Sequence, residues 1–103
     1  MNASLIQSMI NAIDKPAIFI TNDYVIQAVN DAYRETYDTE VIIGNSTCYA
    51  ISHRNDAPCD KHGEECPLAQ CQKTNRPSSV VHIHNTNEGK TYCDILMKPV
   101  RDE

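Results

Sequence analysis

Ala17-Ile18-Phe19-Ile20-Thr21-Asn22-Asp23-Tyr24-Val25-Ile26-Gln27-Ala28-Val29 is the stretch that decides the fold. Two β-prone runs, Ala17 to Thr21 and Tyr24 to Val29, flank Asn22-Asp23, whose short polar side chains bond nearby backbone groups and so favour a turn. The stretch reads as a tight β-hairpin. Pro16 forbids a helix from running into it, so Leu5, Ile6, Met9, Ile10 and Ile13, which recur at helical spacing, predict a separate amphipathic helix over residues 1–14. After the hairpin, Asn30 is placed to cap a short helix over about Asp31 to Tyr37.

The pattern loosens from Val41 to Arg76. Gly44, Pro58 and Gly63 break it, and Pro67, suited to a first helical turn, opens a better helical stretch to about Thr74. Ser79-Val80-Val81-His82-Ile83-His84 then alternates with period two, Asn85 to Gly89 can turn, and Lys90 to Met97 alternates again, which predicts a second hairpin. Two strands, several short helices and two more strands make an α+β order, with an antiparallel sheet and the helices gathered on one face.

The chain has 103 residues, enough for one modest core, and no repeat or linker divides it. We read residues 1–103 as a single domain. No apolar run approaches the about 20 residues of a membrane span, and no signal-like segment opens the chain, so we expect a soluble, cytoplasmic protein. Nine Lys/Arg against 14 Asp/Glu leave a net charge of −5, which repels phosphate backbones, so nucleic acid is not an expected partner.

Four of the five cysteines, Cys48, Cys59, Cys66 and Cys71, lie with His53 and His62 in one segment. An odd number of cysteines in this setting argues against a secreted disulfide framework. Three readings stay open. Cys48, Cys59 and Cys66 with Cys71 or His53 supply the four soft ligands of a zinc or iron–sulfur site, although their spacings match no strong signature. Two of the thiols can instead form a reversible disulfide as a redox switch. Or Cys48 and Cys71 are small buried hydrophobes and the others ordinary loop residues. His82 and His84 alternate on one strand and read as two imidazoles presented to one side of a sheet, and Cys93 as a sheet residue. The pairs Cys48 with His53 and Cys59 with His62 have the residue types of a nucleophile and base, but no nucleophile motif, phosphate loop or paired-carboxylate motif accompanies them, so a non-enzyme is expected.

The hairpin from Pro16 to Ile26, Val29-Asn30-Asp31-Ala32, Gly44 before the helical middle and the closing hairpin together resemble a PAS sensory domain over nearly the whole chain. Gly44, Cys48-Tyr49, His53, Pro58-Cys59 and Cys66-Pro67-Leu68 are similar to a cysteine-rich pattern of PAS domains in bacterial histidine kinases and GGDEF-type diguanylate cyclases. Here Asp60 to Glu65 separates Cys59 from Cys66, so a compact two-cysteine knuckle is not implied. The resemblance implies a five-stranded sheet of order 2-1-5-4-3. The sequence supplies four readable strands, so the fifth is expected to be missing or trimmed, as in a fragment of a longer signalling protein. It further implies a sensory input module that regulates an attached effector, with a pocket lined by Phe19, Ile26, Tyr33, Tyr49, Ile83 and Ile95, residues equally suited to a core. The flavin-reactive motif of light-sensing relatives is absent, and no haem-attachment pattern accompanies His53 or His62, so neither cofactor is expected. The N-terminal helix, with an apolar stripe outside a small sheet, is the expected surface for a homodimer.

Overall fold

The computed structural model describes residues 3–58 and 65–100. Along them run α1 (Ala3–Asn11), β1 (Ile18–Ile20), β2 (Ile26–Val29), α2 (Asp31–Tyr37), α3 (Cys48–Ser52), α4 (Pro67–Thr74), β3 (Ser78–Thr86) and β4 (Gly89–Met97). This is the expected mixed α+β order. β1 pairs with β2 and β3 with β4, each antiparallel, matching the two outer pairs of the order 2-1-5-4-3. Among the described residues no fifth strand joins β1 to β4. No described helix is long and apolar enough to cross a membrane.

Asn30 fastens the first half of the chain. Its Oδ1 accepts from the backbone N–H of Tyr33 at 3.0 Å, capping α2 as expected, and from Ala17 N–H at 3.1 Å. Its Nδ2 donates to the carbonyls of Lys15 at 2.7 Å and Ile13 at 3.0 Å. At 2 % exposure, one satisfied amide thus holds the linker, the first strand and the helix start together.

The outer edge of β2 is closed from two directions. Gln7 of α1 donates Nε2–H to the Val29 carbonyl at 2.7 Å and accepts the Val29 N–H on Oε1 at 3.3 Å, standing in for a neighbouring strand. Farther along, Ile26 N–H donates to Ser46 and Gly44 N–H to the Ile26 carbonyl. Gly44 sits at φ +83°, the left-handed backbone that glycine adopts freely, and this lets the loop turn back onto the strand. α1 therefore packs on its own domain, ending at Asn11 rather than reaching residue 14. Ile6 and Ile10 are half-buried, while Leu5, Met9 and Ile13 stay exposed.

Two apolar clusters make the core. Ile26, Val29, Tyr33, Tyr37, Val41 and Ile51 form one, with Ile18 and Ile20 against it; Cys66 and Leu68 form the other, with Ile20, Tyr24, Ala69 and Met97. Alternation along β3 turns Val80, His82 and His84 inward and leaves Val81 and Ile83 outward. Ile83 thus corrects one expectation: it is 44 % exposed, opposite the exposed Tyr92, and lines no interior. Phe19 is half-buried like Ile18 and Ile20, which pack on the core.

Candidate functional site

Three imidazoles meet beneath the second hairpin. His82 and His84 project from the inner face of β3, and His53 closes α3. The end of α3 is held there because His53 N–H donates to the Tyr49 carbonyl at 3.1 Å, while the His53 carbonyl accepts from Asn85 Nδ2 at 3.0 Å. All three rings are buried, with centroids 4.4 Å apart for His53 and His84, 5.0 Å for His53 and His82, and 5.8 Å for His82 and His84. One ring nitrogen from each lies within 4.8 Å of the other two.

Hydrogen bonds fix the proton positions. His82 Nε2 faces the backbone carbonyl of Glu65, which can only accept, so His82 carries its proton on Nε2. Its Nδ1 then presents a lone pair to His53 Nε2 at 3.1 Å. His84 Nδ1 meets the Tyr37 hydroxyl at 2.6 Å, and Cys93 is a neighbour of Tyr37. Burial, with His53 and His82 alongside, drives His84 down to about 3, so its ring is neutral at physiological pH. Burial also raises the Tyr37 phenol, with the neighbouring Cys93 adding to it, and raises the Cys93 thiol.

A second polar group lies in the apolar cluster on α2. The Tyr33 hydroxyl is buried with no hydrogen-bond partner among the described residues. Its ring sits 4.4 Å from that of Tyr37, and burial, then Tyr37 and Cys48, hold its phenol far above the usual range. Burial pushes the Cys48 thiol up to about 12, with Cys66 beside it contributing. A thiol so desolvated is a poor nucleophile and a reluctant thiolate.

The residues singled out from sequence fall into several places. Of the six expected pocket residues, only Ile26 and Tyr33 share one core cluster. Tyr49 is half-buried in edge contact with Tyr24, and Ile95 is half-buried opposite Val80. Cys48, Cys71 and Cys93 are free thiols. Cys71 spends its thiol on the fold, donating to the Met97 carbonyl at 3.3 Å beside Ser78 Oγ. Cys59 and His62 lie outside the described residues. Among the described residues, the one group of three side chains with ligand atoms at metal-binding range is His53, His82 and His84, not a set built on Cys48, Cys66 and Cys71. The sequence pattern singles out His53 as a ligand candidate and reads His82 and His84 as plain strand residues; their period-two spacing is the available signal.

A family model described as the PAS fold matches residues 10–103. No curated protein and no solved structure matches the chain.

Proposed function

Because the chain belongs to the PAS-fold family, a group of sensory and interaction modules, we propose that it is the input module of a bacterial signal-transduction protein. In this reading it senses a small ligand bound between α2, α3 and the sheet, and regulates an attached histidine kinase or GGDEF-type diguanylate cyclase. The observation that carries the reading is the Tyr33 hydroxyl. A buried polar group without a partner costs about 1–3 kcal/mol, and such a cost persists where the group has a task. Tyr33 stands on the first helix after the first hairpin, beside Cys48 at the start of α3, so an acceptor or donor seated there would couple both helices to the sheet.

The test is effector output from the parent signalling protein with Tyr33 intact and with Tyr33→Phe, which keeps the ring and removes only the hydroxyl. A shifted dose response supports the reading. Output indifferent to the substitution, with the fold intact by circular dichroism, overturns it.

A second reading, a dimerisation scaffold, is favoured by exposed Leu5 and Met9 on α1, with exposed Ile13 just beyond its end. In that reading two copies meet through α1. Sedimentation that reports a monomer at high concentration, unchanged by Leu5→Glu and Met9→Glu, removes it.

A further inference from the structure

We propose that His53, His82 and His84 bind a divalent transition-metal cation of the zinc, cobalt or iron(II) class, with an open fourth position for an exogenous ligand. The geometry of the three rings reaches beyond the sensory reading, since a metal-binding domain with no signalling role would satisfy it equally.

Three buried imidazoles in mutual contact need a reason, because polar side chains rarely replace apolar ones beneath a sheet. Neutral imidazole is a borderline ligand, suited to zinc, cobalt, iron and nickel and unsuited to magnesium or calcium, which take oxygen. In a tetrahedral site with metal–nitrogen bonds of about 2.0–2.1 Å, ligand nitrogens stand about 3.4 Å apart. Here His53 Nε2 and His82 Nδ1 are 3.1 Å apart, and all three ligand atoms fall within 4.8 Å, so closing on a metal needs only modest side-chain movement.

The surroundings have the pattern expected around metal-bound imidazoles, whose second nitrogen donates to a carbonyl or hydroxyl that orients the ring. His82 Nε2–H does so to the Glu65 carbonyl, leaving Nδ1 for the metal. His84 Nδ1 faces the Tyr37 hydroxyl, leaving Nε2 for the metal. His53 binds through Nε2 by adopting its other tautomer: the proton that Nε2 shares with His82 moves to Nδ1. Three neutral ligands leave the cation's full charge in a buried place, which selects an anionic fourth ligand such as hydroxide or a small anion.

The test is titration of Co2+ into the chelator-stripped 103-residue chain. The expected result is saturation near one equivalent, visible ligand-field bands of tetrahedral intensity, and no near-ultraviolet thiolate-to-cobalt charge transfer. His82→Gln and His84→Gln, each checked for fold by circular dichroism, should abolish the bands, whereas Cys48→Ser should keep them. Because a buried variant can fail to fold, a second measurement uses the wild-type chain alone: on adding Zn2+, 15N spectra of the imidazoles should place the metal on Nε2 of His53 and Nδ1 of His82. No saturable binding by folded protein, a strong charge-transfer band, or binding that survives both histidine substitutions overturns the proposal. Metal binding with effector output indifferent to Tyr33→Phe would keep this inference and remove the sensory one; the converse result would do the opposite.

Discussion

The Tyr37 hydroxyl reaches across 47 positions of sequence to within 2.6 Å of His84 Nδ1, joining the last turn of α2 to the inner face of β3. Cys93 on the paired strand β4 lies beside it. Tyr37→Phe therefore leaves the buried His84 Nδ1 short of a partner while preserving ring packing. The expected loss is about 1–3 kcal/mol, read as a lower urea midpoint with an unchanged slope.

Asn30 makes a sharper case, because its amide serves two purposes at once. Asn30→Ala removes the cap of α2 and strands the carbonyls of Ile13 and Lys15. A lost cap costs about 1 kcal/mol, and the loss of two part-buried hydrogen bonds adds to it, so a total of about 2 kcal/mol is expected. Asn30→Asp keeps the cap but cannot donate, and its thermal midpoint should fall between those of wild type and Asn30→Ala.

Tyr33→Phe should behave in the opposite sense in the isolated chain. The hydroxyl has no partner to lose among the described residues, so its removal is expected to leave stability unchanged or raise it by up to about 1 kcal/mol. Calorimetry of the two proteins checks this. A destabilisation of 2 kcal/mol or so would mean that the hydroxyl is bonded.

Cys48 predicts an alkaline limit. Its folded thiol titrates at about 12 against an ordinary value of 9.0, so the native state holds the proton more tightly than the unfolded chain does. This group leaves stability unaffected below about pH 9 and erodes it progressively from there toward about pH 12, as the unfolded thiol ionises first. Urea midpoints measured from pH 8 upward should fall less steeply in Cys48→Ala. At pH 8, native Cys48 should alkylate with iodoacetamide far more slowly than in urea, as read by peptide mass spectrometry.

Local signals made half of this molecule legible from sequence. Asn22-Asp23 between two β-prone runs, Asn30 before a helix, and Pro67 at a first turn each act within a few residues, and each is found where expected. The turn differs in one detail: Tyr24 takes the left-handed backbone at φ 70°, and Thr21 Oγ1 accepts the N–H groups of Asp23 and Val25.

The histidine cluster was hidden for a physical reason. In Val80-Val81-His82-Ile83-His84 the alternation is plain, but hydrophobicity favours burying Val81 and Ile83 over the two histidines. The face is decided elsewhere, by the pairing that sets His82 against Cys93 and Val80 against Ile95, and by the helices beneath. His53 arrives from 29 residues away, a contact that no local pattern encodes. The cysteines drew attention because they crowd in sequence, yet Cys71 bonds the end of β4 and Cys48 is desolvated beside Cys66.

The closure of β2 by the Gln7 amide and by the Gly44 to Ser46 loop also bears on how the protein behaves in a crowded solution. A strand whose outward N–H and C=O groups are already occupied offers no template for a neighbour's backbone, so β2 cannot seed edge-to-edge polymers. Gln7 acts here as a molecular stopper, one side chain long.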